Sequence, residues 1–326
     1  MPVQITIVGL GQIGASIGMA LEPHTSLLYR VGHDKDLTTA RSAEKQGAVD
    51  AVKLNLPASV REARIVILSL PLHEIRETLQ IIAEDLPEGA VVMDTAPIKA
   101  PVVRWVEEYL PEGRYYVGLV PALNPGYLHR SESGLEAARA DLFQGGVVAV
   151  STIPGTPEEA VKLAMDLVAL LGAAPLIADL LESDGLMTNT HLAPQFLAAA
   201  LLNALVGQPG WDDARKLAGR PFATLTAALA YQDEMEALGE AALLNPEGFT
   251  RVLDQVIASL QGIRSEVADG DRERLRERLE LALEGRQRWL SERTRADWSK
   301  RDKSELSEIP NLAERLFGSR KYLKKK

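Results

Sequence analysis

The chain has no cysteine. That excludes disulfides, thiolate nucleophiles and cysteine metal sites together. Histidine is scarce as well. The five stand at positions 24, 33, 73, 129 and 191, without the spacing of a metal-ligating set, so no metal is expected. No apolar run is long enough to span a bilayer. No charged leader with a cleavage site precedes the first apolar stretch, so the expectation is a cytoplasmic protein with no membrane partner. Basic charge is not in excess either. A net charge of −9 argues against nucleic acid as the main partner. Internal repeats and low-complexity tracts are missing too. What remains is ordinary for a globular protein, with 46% hydrophobic and 25% charged residues. At 326 residues the chain is long enough for two domains with sizeable cores.

The most informative stretch comes first. Val3 to Val8 is a short apolar strand, Gly9-Leu10-Gly11-Gln12-Ile13-Gly14 follows at once, and Ala15 to Leu21 reads as a helix start. Strand, glycine turn and helix with the G-x-G-x-x-G spacing predict a dinucleotide site. Gly9 permits the tight turn, Gly11 lets backbone approach a pyrophosphate, and Gly14 lets helix pack on strand. The helix N-terminus turns unpaired N–H groups toward the phosphates. Leu27 to Gly32 is the next strand, and Asp34 lies just past it, at the distance where an acid accepts from the adenosine ribose. That favours NAD. NADP stays open, because Arg30, Lys35 and Arg41 are cations near enough in sequence to receive a 2′-phosphate. Asp34 can also be read as a plain turn residue.

Strand and helix signals alternate as far as about residue 180. Strands are expected over 64–70, 90–94, 115–120, 146–150 and 174–178. Continuous Val/Ile/Leu strands between helices predict an α/β fold, a Rossmann-like, doubly wound, mostly parallel sheet covered on both faces. Ligands then bind at the carboxyl ends of the strands, which puts Ser69, Leu70, Pro71 and Thr95 beside the cofactor. After Ser183 the strand signals stop. Helices are expected over 225–244, 246–266 and 272–293. The division is a dinucleotide-binding domain over 1–180, an all-helical domain for substrate and dimerisation over 181–297, and a polar basic extension over 298–326. The Lys-rich end, Arg320 to Lys326, reads as a solvated tail.

These motifs resemble the prephenate dehydrogenases, within the broader 6-phosphogluconate dehydrogenase-like group. The glycine turn through Ser16 looks like that family's opening motif. Asp34 to Ala40 with Gly47-Ala48-Val49-Asp50, Ser133 to Phe143, Leu171-Gly172-Ala173, Ser183-Asp184 and Thr190-His191-Leu192 continue in the family's order. The resemblance implies NAD(P)-dependent oxidative decarboxylation of prephenate or arogenate in tyrosine biosynthesis, by a homodimer paired through its helical half. The ring hydroxyl loses its proton, hydride leaves the same carbon for the nicotinamide, and loss of CO₂ aromatises the ring.

The sequence departs from the family at the chemical centre. Members usually carry His-Pro after the fifth strand, and here the pair is Val120-Pro121. The usual serine before Ile/Val-Lys is Pro97. Neither replacement can move a proton. His-Leu-Pro-His becomes His191-Leu192-Ala193-Pro194, and the loop Leu123 to Glu132 looks longer than usual. The catalytic candidates are therefore His191, Lys99 and His129. Ser183, Arg215, Lys216 and Arg264 are candidates for holding a carboxylated substrate. Each has a plainer reading. Lys99 can be a surface lysine at a helix start, His191 a packed helix histidine, His129 a solvated loop residue, and the cations surface charges. Two other functions stay open: a dehydrogenase of another small carboxylated compound, and a non-catalytic dinucleotide-binding protein.

Overall fold

The computed structural model describes residues 2–130, 132–231 and 235–295, so the expected extension over 298–326 lies outside the described residues. The first half alternates as the apolar runs dictate. β1 (Val3–Val8) leads to α1 (Gln12–Ala20), β2 (Leu28–His33) to α2 (Leu37–Lys45), and β3 (Ala51–Val52) to α3 (Leu56–Val60). β4 (Ala63–Leu68) is followed by α4 (Leu72–Ile82), and β5 (Val91–Asp94) by α5 (Ala100–Tyr109). Then come β6 (Tyr115–Ala122), β7 (Val147–Thr152), α6 (Glu158–Leu170) and β8 (Ala174–Ile177). The two-residue β3 went unpredicted, because so short a strand has no periodicity to detect.

The eight strands form one sheet in the order β3-β2-β1-β4-β5-β6-β7-β8. All neighbours are parallel except β6 and β7. No crossover helix separates those two. Among its described residues the link from 123 to 146 holds two short 3₁₀ turns, Pro125–Tyr127 and Leu135–Ala137, and the chain turns back antiparallel. This keeps the link at the carboxyl end of β6, beside the crevice where the strand order reverses between β1 and β4.

Alternation along β4 shows how both faces are covered. Ile65 and Ile67 join the core under α1, α2 and α6, whereas Val66 and Leu68 join the core under α4 and α5. Leu192, Leu238, Ala241, Ala242 and Phe249 from the later helices belong to that second core. The helices that carry these five residues are thus packed onto the α4/α5 face. Each large apolar side chain buried there contributes roughly 1.5–3 kcal/mol.

Among the described residues every element after β8 is helical: α7 (Leu180–Met187), a π turn at Thr188–Leu192, α8 (Ala193–Val206), α9 (Trp211–Leu217), α10 (Arg220–Thr226), α11 (Met235–Leu243), α12 (Pro246–Asp269) and α13 (Arg272–Arg295). The helix expected over 225–244 is not continuous. α10 ends at Thr226 and a 3₁₀ stretch takes over at Ala227–Tyr231. Residues 1–277 form one compact unit, and a second begins at residue 278. No helix among the described residues is long and apolar enough to cross a membrane.

Candidate active site

The three glycines of the first turn do three different things. Gly9 has φ +90, and a Cβ there would lie 2.2 Å from the Ser69 carbonyl oxygen. At Gly14 a Cβ would lie 1.9 Å from the Gly9 oxygen, at the contact of helix with strand. A Cβ at Gly11 would meet nothing within 4 Å. The fold needs the first and third. The space over Gly11 serves no packing purpose and is the space a pyrophosphate requires. The residues present therefore fit a dinucleotide.

Asp34 holds this turn. Its carboxylate accepts the Leu10 N–H at 2.8 Å and the Asp36 N–H at 2.9 Å. Oxygen lone pairs remain for a ribose hydroxyl. Of the cations that left NADP open, Arg30 is turned away and only 3% exposed. It pairs with Asp50 at 2.6 Å and donates to the carbonyls of Gly18 and Gly47. Arg41 pairs with Glu44 on the surface. Lys35 lies beside Asp34 and pairs with Glu74.

A cavity of about 780 Å³ runs from this turn toward the helical half. Gly9, Gly11, Gln12, Ile13, Asp34, Ser69, Leu70, Pro71 and Thr95 line it, as expected from the strand ends, and so does His191. Leu10 does not; its side chain is in the core and only its N–H serves the turn. Gly14 is buried under the helix. Residues outside the expected cofactor set also line the cavity: His33, Lys35, His73, Glu74, Pro97, Ser133, Gly134 and Leu238. Ser133 and Gly134 arrive on the antiparallel link, whose strand direction the apolar runs did not reveal. Lys35 is the one lysine or arginine among the described lining residues.

His191 reaches the cavity through the π turn. Side chains there bond back to carbonyls one turn earlier: Thr188 to Asp184, Asn189 to Gly185 and Thr190 to Leu186. Gln195 likewise donates to the His191 carbonyl. The ring is half-buried, and loss of solvent lowers its pKa from the ordinary 6.5. His191 is therefore a neutral imidazole near pH 7, able to accept a proton.

The other candidates stand elsewhere. Lys99 is fully buried and off the cavity wall. Its ammonium donates to the Asp94 carboxylate at 2.6 Å, which also accepts the Tyr116 hydroxyl at 2.5 Å. Burial lowers the Lys99 pKa while the Asp94 charge opposes this. A surface lysine was the plainer expectation and does not hold, and neither does one facing the crevice. Ser183 is 1% exposed and off the wall. Two ideal helical turns would have set His191 on the face of Ser183 and Asp184; a π turn intervenes, and of the three only His191 lines the cavity. His129 is exposed on its loop. Arg215 and Lys216 are exposed and pair with Asp212 and Asp213 one turn earlier, and Arg264 is exposed on α12. The structure does not bring these three cations to the cavity.

Sheet order, the glycine turn and an acid just past β2 fit a dinucleotide-binding oxidoreductase. Residues 17–176 match the model described as prephenate dehydrogenase, nucleotide-binding domain. Cyclohexadienyl dehydrogenase of Zymomonas mobilis is 25% identical over 271 residues, covering 82% of this chain and 90% of that protein. A probable prephenate dehydrogenase of Streptomyces niveus is 29% identical over 277 residues, covering 81% of this chain and 70% of that one. Among solved structures, prephenate dehydrogenase from A. aeolicus, in complex with hydroxyphenyl propionate and NAD+, superposes with TM-score 0.78 at 21% identity, covering 88% of this chain and 98% of that chain. Residues 17–176 are thus a nucleotide-binding domain of the prephenate dehydrogenase type, and the chain is an NAD-dependent dehydrogenase of that type.

Proposed function

We propose that this protein oxidatively decarboxylates a cyclohexadienyl carboxylate, prephenate or arogenate, with NAD as the hydride acceptor. The observation that carries this reading is one continuous cavity joining the Gly11 cradle to the neutral imidazole of His191. When bound, the nicotinamide supplies an acceptor for hydride from the ring carbon. His191 accepts the proton of the hydroxyl on that carbon, and loss of CO₂ leaves an aromatic ring. Val120 is buried at the carboxyl end of β6, and neither it nor Pro97 can assist. We therefore expect slower turnover than in a protein that keeps the usual His and Ser, by roughly 10²- to 10⁴-fold.

NAD is favoured over NADP because Asp34 repels a 2′-phosphate and Arg30 is committed to Asp50. A homodimer is favoured by apolar side chains exposed on three later helices, Leu205 and Val206 on α8, Leu225 on α10, and Ile257 and Leu260 on α12. The chemical replacements at 97 and 120 also favour a second reading, a dinucleotide-binding protein without turnover. The deciding experiment follows NADH formation with prephenate and arogenate, alongside NAD binding by thermal shift. Turnover that falls in His191→Asn supports the first reading. NAD binding with no turnover of either compound overturns it in favour of the second, or of a different carboxylated substrate.

A further inference from the structure

We propose that Asp184 is a positioning residue, whose carboxylate straps the His191-bearing helix to the first turn of α5 and thereby sets where His191 stands in the cavity. This rests on the function proposed above. Asp184 belongs to α7 and is 4% exposed. Its two oxygens accept the N–H groups of Lys99 at 2.5 Å and Ala100 at 2.9 Å. Those are unpaired donors at the start of α5, whose own N-cap residue, Lys99, makes no side-chain cap. The cap comes from another helix, 84 residues on in sequence.

α7 does not need Asp184 for its own stability. Asp179 already caps it, accepting the Glu182 N–H at 2.8 Å. Burial raises the pKa of Asp184, and the N–H bonds and the Lys99 charge hold against that. A carboxylate kept buried at such a cost is best explained by what it joins. On one side α7 runs through the π turn to His191, and the Thr188 hydroxyl binds the Asp184 carbonyl while accepting from Asn245. On the other side, Lys99 reaches back to Asp94, next to the cavity-lining Thr95 and Ala96. The strap thus fixes the two walls of the site to each other.

The test uses the full-length protein with Asp184→Asn, which keeps one acceptor and loses the other. Thr188→Val removes the hydroxyl that ties the Asp184 backbone to Asn245, and so loosens the strap's anchorage on the helix with no change of charge. Three readings are taken: NAD affinity, kcat and KM for prephenate, and the titration of His191 by NMR without substrate. Misplacing a reacting group by about 1 Å costs on the order of 10²-fold in rate. We expect kcat to fall tenfold or more in Asp184→Asn and less in Thr188→Val, with NAD affinity unchanged. The His191 pKa should return toward 6.5 as the ring loses its fixed place. In a His191→Asn background, Asp184→Asn should have little further effect. Additive losses, or an unmoved His191 titration in both variants that fold, overturn the proposal. If Asp184→Asn does not fold, Thr188→Val decides by the same readings. If the wild type turns over neither compound, the function fails, and the His191 titration still decides the strap.

Discussion

Gly11 is a position where sequence and packing make opposite demands. Nothing in the protein would touch a side chain there, yet a ligand would. Gly11→Val should leave the melting temperature of the free protein nearly unchanged and abolish the rise on adding NAD. That rise reflects RT ln(1 + [L]/Kd), roughly 2.7 kcal/mol at a hundredfold excess over Kd. Gly9→Val should instead destabilise the free protein, since it needs both φ +90 and the space taken by Ser69. His191 gives a second residue-scale prediction. Its pKa is lowered on folding, so as pH falls the unfolded chain takes up the proton first. Stability from this group is complete above pH 6.5 and is lost as pH falls below it. Urea midpoints taken at about pH 8 and about pH 5 should differ less in His191→Asn than in the wild type. The acid limb of kcat/KM should likewise lie below 6.5. Restoring the missing group tests the chemistry: Val120→His should raise kcat for prephenate, read as NADH formation. No gain would mean that the β6 end is no longer where the proton is handled.

At the scale of elements, short polar anchors do what apolar periodicity does not announce. β2 is held by Arg30, which ties Asp50 and two glycine carbonyls beneath the sheet edge. Arg30 is buried but Asp50 keeps access to water, so the loss in Arg30→Ala is that of packing and of the bonds to the two carbonyls. Arg30→Ala should cost about 1–3 kcal/mol in a denaturant titration. NADP affinity should not weaken beyond that of NAD, because Arg30 is not a phosphate receptor. The π turn is a second such anchor. Thr188, Asn189 and Thr190 satisfy carbonyls of the preceding turn, and His191 belongs to the same wider turn. A separation of seven positions between Asp184 and His191 suggested one shared face. Hydrogen bonding inside the helix broke that rule, and no apolar pattern carries such information.

For the whole molecule, the homodimer proposed above would cover the apolar side chains exposed on α8, α10 and α12. Light scattering at micromolar concentration should give twice 35.4 kDa. Leu260→Asp should shift it toward a single chain without loss of NAD binding.

Composition and local pattern alone determined the dinucleotide half. The Gly9-Gly11-Gly14 spacing, the Asp34 position and the strands ending at Leu68 and Asp94 are set by residues close together in sequence, and each has a local physical cause. The π turn, the antiparallel return of β7 and the destination of Lys99 were decided by tertiary structure. A lysine such as Lys99 reads the same in sequence whether it meets solvent, a ligand or Asp94. Only packing supplies the buried carboxylates that claim it. Arg215 and Lys216 show the converse, since acids one turn away already satisfy them at the surface. Charge is read locally, but its partner is chosen by the fold, because desolvation is a property of the assembled core.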